Sequence, residues 1–170
     1  MQELRLLTKL GRLRIRVYGD GEAMLFWPSQ LMTGDMWAGQ AREFESTHRV
    51  ILVDPPGHGG SERLDGPFSF VDCADTAADI LDGVGVRRAH FVGNSWGGMI
   101  GGTFAALYPS RVASAVLMNC TASAARWPQK LQYVAMLRGA KLLGGFRGPL
   151  TRPVLKAFLG PTTFETRPDV

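Results

Sequence analysis

Histidine is scarce in this chain: three in 170 residues, His48, His58 and His90, and none after position 90. Cysteine is scarcer. Cys73 and Cys120 stand far apart and form no C-x-x-C pair, so redox and zinc chemistry are unsupported and no metal or other cofactor is expected. Each is expected to pack as a small buried hydrophobe. No stretch of about 18 uncharged apolar residues occurs, which argues against stable membrane insertion. Glu3, Arg5 and Lys9 break up the N-terminus, so no apolar signal segment is expected, and a cytoplasmic location is the default expectation. Internal repeats are absent. Acidic residues run short only late in the chain: residues 1–120 carry 11 Lys/Arg against 13 Asp/Glu, and residues 121–170 carry 8 against 2. That basic segment lacks the aromatic platforms and clustered base-reading residues of a nucleic-acid site, so a solvated basic helix face accounts for it and nucleic acid is not expected as a partner.

What is present reads as alternating strands and helices. The chain is long enough for a sizeable core, and its 45% hydrophobic and 20% charged residues are ordinary for a globular protein. Residues 3–9 and 12–18 predict two strands joined near Gly11. In the second, Leu13, Ile15 and Val17 alternate with Arg12, Arg14 and Arg16, the pattern of a half-exposed strand. Ala23 to Trp27 and Val50 to Val53 are short apolar runs that predict buried strands. Between them Trp37, Ala41 and Phe44 recur at helical spacing. Ser69, with Asp72 three residues on, predicts a capped helix start. Its apolar face would be Val71, Ala74, Ala77, Ala78 and Leu81. Ala89–Val92 and Ala115–Met118 predict two further buried strands, with a helix over 99–108 between them that stops at Pro109. The sum is an α/β fold, a mostly parallel sheet with helices on both faces. From Thr121 the pattern turns helical, with expected helices at 127–143 and 153–159. Residues 1–120 and 121–170 are therefore read as a core and a helical appendage.

One stretch carries chemistry. Gly93-Asn94-Ser95-Trp96-Gly97 is a G-x-S-x-G pattern between a predicted strand and a predicted helix. A serine on so sharp a turn needs small neighbours, and glycine two residues to either side supplies the room. The helix start behind Ser95 offers free N–H groups and a positive dipole end to a developing oxyanion.

Three segments in order resemble the α/β-hydrolase family: the first strand-to-helix connection from Trp27 to Trp37, Asp54-Pro55-Pro56-Gly57-His58-Gly59-Gly60-Ser61, and Gly93-Asn94-Ser95-Trp96-Gly97-Gly98. The first is similar to the family's oxyanion loop, with Pro28-Ser29 at the place of its His-Gly. The second is similar to its D-x-x-G-x-G-x-S segment, the third to its nucleophile elbow. The resemblance implies a C-terminally truncated α/β-hydrolase core over 1–120 followed by an incomplete helical lid over 121–170. It implies a serine hydrolase in which Ser95 attacks an ester, lactone or related carbonyl. The Gln30 and Trp96 amides would hold the oxyanion. The family's chain order is serine, acid, histidine, so the acid and histidine are expected beyond residue 170. Carbon–carbon bond hydrolysis uses the same scaffold. Dehalogenase and epoxide hydrolase relatives carry Asp where this chain has Ser95. His48 should lie at the far end of the sheet, His90 inside a strand, and His58 in a loop on the Ser95 side. The other reading is a catalytically inactive fragment or a binding module on a hydrolase scaffold. Under the truncated reading the last strand is an unprotected edge, which predicts association. The expected partner is a small-molecule carbonyl substrate with an apolar portion, its pocket walled by Trp27, Trp37, Trp96 and Met32 or those residues packed in the core.

Overall fold

Period-two alternation sets the first strands. The structure, a computed structural model, describes residues 1–64, 66–123, 126–142, 144, 151 and 166. Strands β1 (Gln2–Thr8) and β2 (Gly11–Tyr18) form an antiparallel hairpin whose last pair is Thr8 with Gly11. Gly11 has φ +90°, a left-handed conformation that glycine adopts without strain. Strand β3 (Glu22–Trp27) follows, then a 3₁₀ turn over Gly34–Trp37, helix α1 (Ala38–Phe44) and strand β4 (His48–Val53). Helix α2 (Phe70–Gly83) leads to β5 (Ala89–Asn94), and α3 (Trp96–Leu107) to β6 (Val112–Met118). Helix α4 (Trp127–Leu142) lies in the second of two compact units, Met1–Ala122 and Ser123–Val170.

The sheet order is β1-β2-β4-β3-β5-β6. Strands β3 to β6 run parallel, and β2 joins them antiparallel through β4. Alternation along β3 divides the core. Leu25 and Trp27 face α2 and α3, packing with Cys73, Ala77, Ile80, Ile100 and Phe104. Phe26 faces the other way, with Val50, Leu52, Val92, Trp37 and Ala41. Burying each large side chain contributes about 1.5–3 kcal/mol. Ser69 caps α2 as its sequence predicts: the Asp72 N–H donates to Ser69 Oγ (3.2 Å), and the Ser69 N–H donates back to the Asp72 carboxylate (2.8 Å).

Several expectations are corrected. Val71 is exposed, because the first turn of α2 stands out with its cap, while Ala74, Ala77, Ala78 and Leu81 are buried. Arg16 belongs to the interior rather than the open face of β2, at 7% exposure. Strand β6 is longer than predicted and is not a buried strand: it ends the sheet order, and Val116 is 48% and Leu117 41% exposed. Cys73 is buried, its thiol pushed up to about 12 by desolvation, whereas Cys120 is only half-buried. Helix α4 forms over nearly the predicted range, but Trp127, Leu131, Val134 and Leu137 on it are exposed and only Ala140 is buried. The helix expected at 153–159 lies outside the described residues. Among the described residues no helix is long and apolar enough to cross a membrane.

Candidate functional site

The turn from β5 into α3 is held by backbone-to-backbone packing that only glycine allows. A Cβ on Gly93 would press on the Gly97 carbonyl and come within 2.8 Å of the Gly98 nitrogen. One on Gly97 would overlap the Trp27 carbonyl and approach that of Pro28 to 2.7 Å. On Gly98 it would meet Cys120 Sγ at 2.8 Å, and on Gly101 the Phe91 ring at 2.6 Å. The turn forces Ser95 to φ +54°, ψ −115°, a conformation in which a residue with a Cβ is strained. The Ser95 N–H donates to the Met118 carbonyl (2.8 Å), and Met99 N–H donates to the Ser95 carbonyl (3.1 Å), so strand, turn and helix are locked together. Trp96, Gly97 and Gly98 supply the first helix amides, which have no acceptor within the helix. Ser95 and Trp96 are half-buried.

The segment after β3 is a tight turn. Met32 N–H donates to the Ser29 carbonyl (3.1 Å), and Leu31, at the third position, has φ +65°, as a type II turn requires. Gln30 occupies the second position, where the turn makes no use of the N–H. The Leu31 N–H donates to His58 Nε2 (3.2 Å), and His58 Nδ1 lies 2.9 Å from the Pro56 carbonyl. His58 therefore carries its proton on Nδ1 and uses Nε2 as an acceptor. Both ring nitrogens are engaged, so His58 fastens this turn and is not placed to take a proton from Ser95. Packing of the Trp27 and Pro28 carbonyls on Gly97 brings the Gln30 turn and the helix start that bears Trp96 to one place.

Asp54 ties the neighbouring loops to the sheet. It is fully buried at the end of β4. Its carboxylate accepts from the Gly34 N–H (3.0 Å) and the Gly60 N–H (2.9 Å) and pairs with Arg14 (3.3 Å) and Arg16 (3.5 Å). Arg16 also pairs with Asp35, and that guanidinium holds the Asp35 carboxyl below the usual range. Ser61 Oγ donates to the Asp54 carbonyl (2.6 Å) and accepts from the Arg14 N–H (2.9 Å). The spacing in Asp54-x-x-Gly-x-Gly-x-Ser61 thus has a local reason. A side chain on Gly59 would run into the Asp54 carboxylate, and Ser61 returns the loop to β2.

His48 and His90 lie at the other end of the sheet. His48 opens β4 and bonds Thr47 Oγ1 (2.8 Å). His90 bonds Ser114 Oγ (2.8 Å) and stands 3.4 Å from Glu22. It precedes Ser95 by five residues, about 16 Å along a strand. The three proposed pocket aromatics and Met32 divide: Trp27 and Trp37 are core residues at 0% and 4% exposure, whereas Trp96 is half-buried and Met32 is exposed. The Trp96 ring has the rings of Trp27, His58 and Phe68 about it, at 6.3, 6.1 and 6.1 Å.

Sequence reasoning missed two features. The Arg14 and Arg16 partners of Asp54 were hidden in an alternation that reads as a solvated face. The contacts of Ser29, Asn94 and Asn119, three single polar residues far apart in the chain, leave no pattern to find.

Comparison with known proteins agrees with this geometry. Residues 22–160 match the family model described as alpha/beta hydrolase fold. A 2-hydroxy-6-oxononadienedioate/2-hydroxy-6-oxononatrienedioate hydrolase of Paraburkholderia phymatum is 34% identical over 153 residues, covering 89% of this chain and 49% of that protein. A hydrolase from Pseudomonas aeruginosa PA01 superposes with a TM-score of 0.74 at 28% identity, over 96% of this chain and 64% of its own. A thermophilic esterase from Thermogutta terrifontis shares the fold, with a TM-score of 0.80 at 22% identity, over 99% of this chain and 63% of its own. The chain spans about half or less of the length of the curated relatives it matches.

Proposed function

The chain belongs to the α/β-hydrolase fold family, and on that premise we propose that it carries the nucleophile and oxyanion portion of a serine hydrolase. The observation that supports this most is the backbone of Ser95, held at φ +54° between β5 and the amides of α3. In this reading Ser95 Oγ attacks the carbonyl of an ester, a lactone or a diketone-like substrate. The amides of Trp96 and Gln30 receive the negative charge on the tetrahedral oxygen, where fixed donors act without reorganising. The relative that hydrolyses 2-hydroxy-6-oxononadienedioate keeps carbon–carbon bond cleavage within this reading. The ring of Trp96, with Phe68 beside it, gives the substrate's apolar portion a wall.

A serine hydroxyl is a weak nucleophile until a base takes its proton. Of the three histidines, His58 is committed to Leu31 and Pro56, and His48 and His90 occupy the far end of the sheet. We therefore assign the histidine and its carboxylate to sequence outside residues 1–170. Triad enzymes stripped of one member keep about 10³–10⁴-fold acceleration over water from the oxyanion hole and binding, and the 170 residues alone are expected to show no more. The same placement of the histidines favours a second reading, a non-catalytic binding module on this scaffold.

A fluorophosphonate probe applied to the protein extended past residue 170, where the histidine and acid are assigned, decides between them. Labelling that disappears in Ser95→Ala supports the hydrolase. Equal labelling of both proteins removes Ser95 as the nucleophile. No labelling, with an apolar carbonyl compound still bound, supports the binding module.

A further inference from the structure

Gln30 is the residue whose amide has to be placed, and both of its neighbours are tied down. Leu31 is fastened on one side by its N–H bond to His58 Nε2. On the other side stands Ser29, whose side chain is buried at 5% exposure and points at the elbow. Asn94 Nδ2 donates to Ser29 Oγ (2.7 Å), and Ser29 Oγ lies 3.5 Å from the Asn94 carbonyl. Asn94 Oδ1 in turn accepts from Asn119 Nδ2 (3.0 Å). Asn119 follows β6 in a left-handed conformation, φ +50°, which asparagine tolerates better than most residues. One directional chain of amide and hydroxyl groups thus runs from the end of β6, through the residue before Ser95, to the residue before Gln30. Such chains polarise and stiffen one another.

We propose that Ser29, Asn94 and Asn119 are positioning residues, a side-chain relay that seats the Gln30 turn on the elbow and so fixes the spacing between the Gln30 and Trp96 amides. The inference rests on the reading that these two amides receive the oxyanion. The relay explains a polar pair on a turn that otherwise packs by backbone contact. A glycine in place of Ser29 would leave the Asn94 amide without its acceptor. It also gives the serine and asparagine roles that neither residue reveals alone. Each touches no reacting atom, and each acts through Gln30.

Amide hydrogen exchange tests the relay without requiring activity, and fluorophosphonate labelling of Ser95 tests what it is for. Ser29→Ala and Asn94→Ala should each speed exchange over residues 29–32 about fivefold, the loss of one net hydrogen bond, with β2 and β4 unchanged. The double variant should exchange no faster than Asn94→Ala, since both changes break one bond. Asn119→Gly, which suits the left-handed backbone of that exposed position, should act on the same residues with a smaller effect. In the protein extended past residue 170, labelling should slow in the same order, by about tenfold to a hundredfold for Asn94→Ala, because small displacements of a catalytic group cost rate steeply. Exchange that rises throughout the chain, or additive effects of Ser29→Ala and Asn94→Ala, would overturn the relay while leaving the hydrolase reading intact. The expected exchange pattern in an extended protein that never labels would keep the relay and discard the hydrolase reading.

Discussion

The two ends of the parallel sheet are built from similar residue types and behave differently. At the N-terminal ends of β4 and β5, His48, His90, Glu22 and Ser114 form polar pairs in partial contact with water. Any of them can be lost and replaced by solvent. At the C-terminal ends, Asp54 is sealed from water with two arginines, Ser95 is held in a strained backbone, and Gly93 and Gly97 let main chains touch. None of these three contacts has a solvent alternative. The difference teaches where the sequence is constrained: the end that holds Ser95 has no slack, and its residues are fixed by each other rather than by surface chemistry.

The largest way to break that contrast is Gly97→Ala. The added methyl would overlap the Trp27 carbonyl and press on that of Pro28, and neither backbone can step aside without moving β3. A loss of about 4 kcal/mol or more is expected, the range reserved for forced core rearrangement, and thermal melting followed by circular dichroism measures it. Asp54→Ala should come next, at about 3 kcal/mol. It leaves the buried Arg16 without one of its two carboxylates and the Gly34 and Gly60 amides without an acceptor. Urea unfolding would show the loss. An effect below about 1 kcal/mol would mean that water reaches the Asp54 position and that the sealed end is less sealed than the packing indicates.

The fold could be read from the sequence because its signals are periodic. Strands β3 and β4 hold unbroken apolar runs at Ala23–Trp27 and Val50–Val53, β5 holds a mostly apolar one, β2 alternates, and Ser69 and Asp72 announce α2. The elbow was legible because Gly93, Ser95 and Gly97 are contiguous. The exposure of β6 was missed from its residues, because an apolar run reads the same at a sheet's edge as at its centre, although the truncated reading had put the strand at an edge. The Gln30 turn was visible only through its neighbours' spacing, since Pro28 and Ser29 stand where a resemblance alone leads one to look. Arg16 was read as surface because local alternation cannot reveal a carboxylate 38 positions later. Relations between distant single residues are three-dimensional facts, and the site is made largely of them.

Smaller effects sharpen the contrast. Ser95→Gly should stabilise the chain by about 1 kcal/mol, because glycine relieves the strain at φ +54° and returns only part of the gain as unfolded-state entropy. Ser95→Ala keeps the Cβ and should not. A higher melting temperature for the glycine variant alone would show that strain is stored at the site. At the opposite end, His90→Ala removes a half-exposed pair with Glu22 and should cost no more than about 0.5 kcal/mol.

The smallest effect separates position from exposure. Asp72 is tied to the end of the sheet that bears Ser95, through Lys9 in the β1–β2 turn, yet it keeps partial contact with water. Hydrogen bonds from the Ser69 hydroxyl and N–H, and from the Lys9 ammonium, hold its carboxyl down at about 2. A depressed carboxyl contributes stability that is fully present above its unfolded value of 3.8 and is lost as pH falls toward 2. The wild type should therefore melt slightly above Asp72→Asn at pH 7, by a margin kept small because a partly solvated pair is screened, and the two melting temperatures should converge as pH falls from 5 to 2. A large difference at pH 7 would mean that proximity to the sealed end, and not burial, is what makes a charge matter in this fold.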